Sequence, residues 1–340
     1  MIVGDGLFRE GAASRISALV PSNERIAIVS DENVWALYGA SLLTALEHEG
    51  ASCFPAVIIP GEGTKTMQTL EWVFETFTRE GLGRGGLVVA LGGGVVGDIA
   101  GFAAACWLRG VHYVQIPTSL IAMVTSSVGG NTAIDIPAGK NLVGAFHQPS
   151  LVIVDPELLK TLPDAEFAKG MAEVIKYGAI QSKILFNNIE QTKYYASSPA
   201  IADVITDCVR IKAKIVSGNE LDAGRRELLN FGHTFGHAIE LKYGYYRYPQ
   251  GMAVVEGMHL AALYGEAAGI TAPGTSERLE SLFASYGLGC TEKPDGLFEY
   301  VKRDKSVSGG NVRLVLLKGI GRADVYDTPL DEIEEQLADL

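Results

Sequence analysis

The sequence predicts two domains, an α/β domain built on a parallel sheet followed by a mostly α-helical domain. The chain has 340 residues, which is more than one ordinary hydrophobic core accommodates. In the first half, short β-branched runs alternate with helical stretches, and apolar runs of this kind are typical of strands buried on both faces of a parallel sheet. From Pro156 onward helical patterns dominate, so we predict domains at residues 1–155 and 156–340.

The predicted elements of the first half follow one another as in a Rossmann-like sheet. Sheets of this type bind ligands beyond the carboxyl ends of their strands, where loops lead into helices. The predicted helices are Asn33–His48 and Thr66–Glu80. The predicted strands are Ile26–Ser30, Ala56–Ile59, Leu87–Leu91, Tyr113–Ile116 and Leu151–Val154.

Composition and charge restrict the possible functions. A charged fraction of 20% and a hydrophobic fraction of 47% indicate a globular chain. The net charge of −12 argues against nucleic-acid binding but permits a small anionic ligand held by local cations. The apolar run 86–108 contains Asp98 and many glycines, which favours a strand, a loop and a helix start over a membrane span. The start of the sequence shows no secretion signal and the four cysteines have no paired spacing, so a cytoplasmic protein is expected.

A glycine cluster follows the third predicted strand, in the segment 91–101. Gly92, Gly93 and Gly94 allow a ligand to approach the backbone, and the helix that follows offers free N–H groups to a phosphate. Taken alone, this cluster is about as typical of a tight turn as of a nucleotide site. Further polar loops follow neighbouring strands at Pro60–Lys65 and Pro117–Ser119, and the three loops together favour a dinucleotide site. The segment Thr125–Phe146 lacks helical periodicity and is predicted to be a binding loop over a cleft.

The second half contains a run of polar residues that one continuous helix, Arg226–Glu240, would align. Arg226, Asn230, His233 and His237 then form a single stripe with apolar flanks, which favours a site for an anion or a metal. The alternative to a ligand site is that these buried polar side chains form hydrogen bonds with backbone groups. Glu173 and Lys176 lie on the predicted helix 167–180. They form either a surface pair or a buried pair, and their apolar neighbours favour the buried pair. Glu173 with two imidazoles supplies the ligand types of a catalytic divalent metal, most plausibly zinc. A helix at 250–267, a strand at 312–321 and a closing amphipathic helix at 330–340 complete the prediction.

Several longer motifs resemble one family. The segments GGGVVGDIAGF, RGVHYVQIPTSL, SSVGG, GKNLVGAFHQP, LKTLP, MAEVIKYG and LLNFGHTFGHAIE occur in order between Pro60 and Gly321 and are similar to those of 3-dehydroquinate synthases, which are sugar phosphate cyclases. The resemblance implies an NAD-binding α/β domain, a helical metal- and substrate-binding domain, and a homodimer. It also implies conversion of 3-deoxy-arabino-heptulosonate 7-phosphate to 3-dehydroquinate and phosphate, with NAD consumed and regenerated in each turnover. The implied metal is zinc, with cobalt possible.

The resemblance also assigns roles to residues. Those implied to bind or orient substrate are Lys176, Lys212, Arg226, Asn230, His237, Asn141, Lys305 and, from the partner subunit, Arg109. Those implied to bind NAD are Glu62, Lys65, Gly94, Val95, Val96, Gly97, Asp98, Thr118, Ser119, Asn131, Lys140, Leu158, Leu159, Lys160 and Thr161. Those implied to bind the metal are Glu173, His233 and the residue at position 250.

The sequence departs from the family pattern at the expected chemical centre. Gln250 stands where the family has a histidine ligand, Thr125 replaces an acid and Asn131 replaces a lysine. Ser306 also follows Lys305 where a second lysine is usual. Three alternatives therefore stay open, namely a paralogue with another sugar phosphate, a binding protein that keeps NAD without turnover, and a metal-dependent polyol dehydrogenase.

Overall fold

The computed structural model describes residues 1–217, 224–244, 250–289, 295–304 and 306–339. They form two compact units. The first unit contains Met1–Phe167 and Ala196–Val209, and the second contains Ala168–Tyr195 and Arg210–Leu340. Within the described residues, no helix is both long enough and apolar enough to cross a bilayer.

A parallel sheet forms the centre of the first unit. Its strands are β1 (Ile2–Val3), β2 (Arg25–Asp31), β3 (Ser52–Ile58), β4 (Leu87–Gly92), β5 (His112–Pro117) and β8 (Leu151–Val154). They lie in the order β1-β8-β5-β4-β2-β3, and every pairing is parallel. The fold class predicted from the strand–helix alternation is therefore confirmed. The chain moves from β2 to one side and then returns to its other side with β4, so the carboxyl ends of β2 and β4 flank a topological switch point.

Helices cover this sheet. They are α1 (Leu7–Glu10), α2 (Ala12–Ser17), α3 (Glu32–Val34), α4 (Ala40–His48), α5 (Met67–Glu80) and α6 (Gly94–Cys106). A π-helical turn, Trp35–Gly39, joins α3 to α4. Thr66 begins α5 by accepting a hydrogen bond from the Thr69 N–H, as expected of an N-cap. Shorter turns are the 3₁₀ segments Glu62–Thr64, Trp107–Arg109 and Pro156–Thr161 and the π segment Ala122–Ser126.

The segment Thr125–Phe146, predicted as a binding loop without helical periodicity, is largely regular. It contains the antiparallel hairpin of β6 (Asn131–Ile136) and β7 (Gly139–Phe146). The hairpin was not predicted because many glycines hid the alternation of buried Thr132 and Ile134 with more exposed neighbours. One of these glycines is required by the pairing, since a Cβ on Gly144 would lie 2.1 Å from the Thr132 carbonyl oxygen.

The second unit is mainly helical. Its described helices are α7 (Asp164–Gln181) and α9 (Ile201–Val216), which both begin in the first unit, and α8 (Lys183–Gln191), α10 (His233–Tyr243), α11 (Gln250–Ala267), α12 (Thr275–Ser285), α13 (Phe298–Val301) and α14 (Leu330–Asp339). An antiparallel sheet contains β9 (Val307–Ser308), β10 (Asn311–Gly319) and β11 (Arg322–Pro329). The predictions for α11, β10 and α14 were right to within a few residues, whereas β9 and β11 were not predicted.

The segment Arg226–Glu240 is not one continuous helix. A 3₁₀ segment, Gly224–Asn230, ends before α10 begins at His233. Gly232 separates them in the left-handed region at φ 83°, and a Cβ there would lie 2.4 Å from the Met258 Cγ. Gly257 on α11 has no room for a Cβ either, because the Gly232 carbonyl oxygen would be 2.0 Å away. Close packing of these backbones, rather than local helix propensity, therefore divides the predicted stripe into two segments.

Candidate functional site

The glycine loop of the first unit has the geometry of an anion cradle. Gly93 precedes α6 and provides no side-chain capping bond, so no capping side chain occupies the first N–H groups of α6, which point out of the start of any helix. A Cβ on Gly94 would lie 3.0 Å from the Ser126 Oγ, and one on Gly93 would lie 3.4 Å from the Ser119 Oγ. The glycines therefore allow the Ser119 and Ser126 hydroxyls to lie close to the backbone at the start of α6.

Lys65 contacts the polar groups that lie around that loop. Its side chain is buried, and its Nζ lies 2.5 Å from the Asp98 Oδ2 and 2.5 Å from the Asn141 Oδ1. The Lys65 carbonyl accepts a hydrogen bond from the Asp135 N–H at 2.7 Å, and the Asp135 carboxylate accepts one from the Asn141 N–H at 2.8 Å. Three residues implied to bind NAD or substrate, namely Lys65, Asp98 and Asn141, are thus brought together by the hairpin β6–β7.

The other residues implied to bind NAD fall into three groups by exposure. Thr118, Val96, Gly97, Leu158 and Leu159 are buried, whereas Glu62, Asn131, Lys160 and Thr161 are exposed. Lys140, Ser119 and Val95 are half-buried. Because the Leu158 and Leu159 side chains are in the core, only their backbone atoms are available to a ligand. Sequence reasoning missed Tyr38, whose hydroxyl lies 2.6 Å from the Thr161 Oγ1 and 3.3 Å from the Leu158 carbonyl oxygen.

Arg109 lies in an exposed 3₁₀ turn after α6. Both Leu108 and Arg109 have positive φ, at 48° and 69°. The Leu108 carbonyl accepts a hydrogen bond from the Arg84 Nη2 at 3.0 Å, which helps to hold this turn. Positive φ is unfavourable for residues with a side chain, so the protein maintains a strained backbone at the position implied to contact phosphate.

A buried ion pair forms the centre of the second-unit site. The Lys176 Nζ lies 2.7 Å from the Glu173 Oε2, one helical turn away on α7, and both side chains are nearly inaccessible to solvent. Burial alone would raise the pKa of the Glu173 carboxyl, but the nearby charges of Lys176 and Lys212 lower it below its usual value. Glu173 is therefore an ionised carboxylate, the state in which it binds a metal. The surface-pair interpretation of Glu173 and Lys176 is excluded by this burial.

His233 is held in its neutral form. Burial, reinforced by the charge of Lys176, lowers the pKa of His233 from 6.5 to about 3. The His233 Nδ1 lies 3.4 Å from the Phe231 carbonyl oxygen. Because a carbonyl only accepts, the ring proton is on Nδ1 and the Nε2 lone pair remains for a ligand. A neutral imidazole and an ionised carboxylate suit a divalent metal.

His237 has a partner that sequence reasoning missed. Its ring lies edge-on to that of His233, with centroids 5.6 Å apart, and its Nδ1 is 2.9 Å from the Oδ2 of Asp304. Asp304 also accepts hydrogen bonds at Oδ1 from the Ser306 N–H, at 2.9 Å, and from the Ser306 hydroxyl, at 2.5 Å. Its position directly before Lys305, a residue implied to bind phosphate, was the only available signal in the sequence.

The remaining predicted residues of this unit are not equivalent. Lys212 and Arg226 are buried, as expected of cations that serve an internal site, whereas Asn230 is exposed on the 3₁₀ segment. Lys305 and the side chain of Gln250 lie outside the described residues. In the part of the chain that the structure describes, no three His, Cys, Asp or Glu side chains are clustered as metal ligands. Glu173 and His233 thus have the right protonation states for a metal, and a third ligand is not provided by the described residues.

These features define a class of protein with a nucleotide-type loop on a parallel sheet and a buried carboxylate, cation and imidazole site in a helical unit. The family model for the N-terminal domain of 3-dehydroquinate synthase matches residues 55–169, and the model for its C-terminal domain matches residues 170–307. The chain belongs to the 3-dehydroquinate synthase family, as the resemblance of its motifs indicated.

Similar proteins agree with this placement. A 3-dehydroquinate synthase from Clostridium perfringens (strain SM101 / Type A) is 44% identical over 293 residues, which cover 85% of this chain and 84% of that protein. A 3-dehydroquinate synthase from Shewanella pealeana (strain ATCC 700345 / ANG-SQ1) is 40% identical over 343 residues, covering 98% and 94%.

Solved structures of related cyclases have the same fold. ValA, a 2-epi-5-epi-valiolone synthase from Streptomyces hygroscopicus subsp. jinggangensis 5008 with NAD+ and Zn2+ bound, superposes with a TM-score of 0.89 at 28% identity, covering 99% of this chain and 95% of that one. A 2-deoxy-scyllo-inosose synthase complexed with carbaglucose-6-phosphate, NAD+ and Co2+ gives a TM-score of 0.84 at 25% identity, covering 97% and 95%.

Proposed function

We propose that this protein is a phosphate-eliminating cyclase that converts 3-deoxy-arabino-heptulosonate 7-phosphate to 3-dehydroquinate and phosphate, in the shikimate pathway. The observation that carries the proposal is the buried Lys176–Glu173 ion pair in the same unit as neutral His233. An internal site with both a carboxylate–imidazole pair and buried cations suits a substrate that is anionic and oxygen-rich. The 44% identity to a 3-dehydroquinate synthase supports this substrate.

The cofactors in the proposal are NAD and a divalent metal, with zinc favoured and cobalt possible. When bound, NAD exchanges hydride with a substrate carbon, and the metal polarises the oxygen on that carbon. The NAD+ in both related cyclase structures, with Zn2+ in one and Co2+ in the other, supports this assignment. NAD would lie against the N–H groups that begin α6, with Lys65 and Asp98 as the adjacent charged side chains.

Glu173 and His233 are the proposed metal ligands, and position 250 supplies the third. A glutamine oxygen binds zinc less well than an imidazole does, so Gln250→His should raise zinc affinity by roughly tenfold or more. Calorimetry of zinc binding to the chelated protein measures this gain. Glu173→Gln in the Gln250→His background is the control, and an equal affinity in both variants would contradict the assignment.

The proposed substrate contacts come from buried cations and polar side chains. Lys212 and Arg226 would hold the carboxylate, for which a guanidinium provides two parallel donors. Asn230, His237 and Lys305 would hold the phosphate. Lys176 and Asn141 would orient the substrate hydroxyls, although Asn141 contacts Lys65 in the structure described above.

Phosphate release from the heptulosonate phosphate, with NAD and zinc added, tests the proposal directly. We expect stoichiometric phosphate and dehydroquinate with no net NADH, because the reduced cofactor is reoxidised within each turnover. Net accumulation of NADH from an alcohol would instead indicate a dehydrogenase. Binding of NAD and metal without turnover of any sugar phosphate would indicate a binding protein.

A second candidate is a cyclase of the same family with another sugar phosphate. The departures at Thr125, Asn131 and Gln250 favour it, because they remove an acid, a cation and an imidazole. Turnover of a different sugar phosphate, with none of the heptulosonate phosphate, would select this candidate.

We also propose a cytoplasmic homodimer in which Arg109 of the partner subunit reaches the phosphate. The exposed, strained turn that carries Arg109 supports a role outside its own subunit. Arg109→Ala and Lys212→Ala variants, each inactive alone, should regain part of the activity when their subunits are exchanged, since one site in each mixed dimer is intact. No recovery after confirmed exchange would contradict the contribution in trans.

A further inference from the structure

We infer that Asp304 and Ser306 are positioning residues that fix the imidazole of His237 in one tautomer, with Nδ1 protonated and the Nε2 lone pair left to accept a hydrogen bond from a protonated oxygen of the substrate. The inference rests on the proposed function for the identity of that oxygen, which belongs to the substrate phosphate in its singly protonated form. The tautomer itself follows from the hydrogen bonds of the protein. Asp304 and Ser306 belong to none of the three sets of residues that the family resemblance assigns.

The tautomer is determined by what each atom is able to do. The Asp304 carboxyl is buried, and although burial alone would raise its pKa, hydrogen bonds from His237 and Ser306 lower that pKa below its usual value. An ionised carboxylate only accepts hydrogen bonds, so at 2.9 Å from its Oδ2 the His237 Nδ1 must donate. Nε2 is then the ring nitrogen that remains for a ligand.

Ser306 fixes the carboxylate in turn. The Ser306 hydroxyl and backbone N–H both donate to the Asp304 Oδ1, so the two carboxylate oxygens have separate partners. Rotation of the carboxylate would break three hydrogen bonds at once, which holds the Oδ2 toward His237. A lysine at position 306, which is usual in the family, retains the backbone bond but has no hydroxyl for the second one. Ser306 is therefore a feature of this chain that strengthens the support of His237.

The tautomer is measurable in the resting protein by two-bond proton–nitrogen correlation spectra of ¹⁵N-histidine-labelled protein, with His237→Gln to assign the signals. We expect His237 to carry its proton on Nδ1 at a pH where the ring is neutral. An Nε2-protonated ring in the wild-type protein would overturn the inference, whatever the variants do. Because no substrate is present, this outcome is independent of whether the proposed reaction occurs.

Asp304→Asn changes the acceptor into an amide, which is able to donate as well, so both tautomers should become populated. Asp324→Asn is the matched control, because Asp324 pairs with exposed Lys318 on the surface of the same unit and should leave the His237 signals unchanged. A thermal unfolding midpoint close to that of the wild type identifies a folded Asp304→Asn protein. An unaltered His237 tautomer in that folded variant would contradict the inference.

The hydroxyl of Ser306 is tested with a conservative pair. Ser306→Ala should lower kcat/KM for the sugar phosphate by roughly two- to tenfold, as expected for one lost hydrogen bond, and Ser306→Thr should restore it. The affinity for NAD should stay unchanged in both variants. Equal kcat/KM values for the alanine and threonine variants would show that the hydroxyl has no positioning role. A wild-type protein without turnover would instead contradict the proposed function and leave the spectroscopic result standing.

Discussion

The glycine loop of the first unit and the buried ionic site of the second unit differ in the groups that they offer to a ligand. The glycine loop offers backbone N–H groups at the start of α6, and its glycines allow neighbouring serine hydroxyls to approach the backbone closely. The ionic site offers side chains, because Glu173, Lys176 and His233 are charged or polar groups surrounded by apolar residues. Any substitution other than proline leaves a backbone N–H donor in place, whereas every group of the ionic site can be removed by substitution.

The two regions should therefore respond differently to mutation and to pH. In the glycine loop, a substitution does harm mainly by adding atoms where a ligand belongs. In the ionic site, a substitution does harm by leaving the remaining partner buried without compensation. Four predictions test this contrast, in order of decreasing expected effect.

Glu173→Gln should lower the free energy of unfolding by about 3–5 kcal/mol, since it leaves the Lys176 ammonium buried beside a neutral amide. Urea unfolding of the metal-free protein measures the loss. Glu299→Gln is the matched control, because Glu299 pairs with Lys302 at the same spacing but on the surface, and it should have little effect. Similar losses in the two variants would mean that burial does not distinguish the pairs.

Gly94→Val should raise the Kd for NAD by tenfold or more, with a smaller effect on the unfolding midpoint because the Ser126 hydroxyl has to shift. The added atoms extend from a Cβ that already lies 3.0 Å from the Ser126 Oγ and fill the space beside the first N–H groups of α6. Fluorescence titration with NAD and thermal unfolding provide the two measurements. A large loss of stability with unchanged NAD affinity would indicate a packing role for Gly94 instead.

The stability of the metal-free protein should fall as the pH falls from about 6.5 toward 3, in part because of His233. In the unfolded chain His233 is protonated at its ordinary pKa of 6.5, but in the folded protein its pKa is about 3, so the ring stays neutral until about pH 3. The contribution is thus fully present above pH 6.5 and has a slope of at most about 1.4 kcal/mol per pH unit for one proton. His233→Gln should reduce that slope in urea unfolding at several pH values. An identical pH profile in the variant would contradict the buried neutral imidazole.

Tyr38→Phe should weaken NAD binding by a few-fold only. The change removes the hydroxyl that contacts Thr161 and the Leu158 carbonyl, a loss of about 1 kcal/mol, but keeps the ring that packs edge-on against Phe8. Thr161→Val combined with Tyr38→Phe should add little to either single change if the two hydroxyls act through one contact. If the effects of the two substitutions on the Kd for NAD are fully additive, the two hydroxyls act independently and the shared contact is contradicted.

Parts of this molecule were predictable because local physical chemistry decides them. Strands β2, β4, β5 and β8 are buried on both faces, so their apolar runs identify them directly. The helix α5 carries its own start signal in Thr66 and its stop signal in Gly81, which is left-handed at φ 69°. The glycines after β4 favoured a ligand site at the end of that strand, because the carboxyl ends of parallel strands lie together at one edge of the sheet.

Other parts depended on contacts between distant residues. The sequence determined the parallel sheet, the helical second half, and the residue types of the candidate site, since period, length and composition are local properties. Tertiary structure alone decided that the helix breaks at Gly232, where α11 approaches too closely for a side chain, and that Asp304 pairs with His237 across 67 positions of the chain. Residue spacing predicts which side chains are neighbours on one helix. It does not predict which backbone segment or carboxylate from a distant part of the chain packs against that helix, because tertiary packing has no local sequence signal.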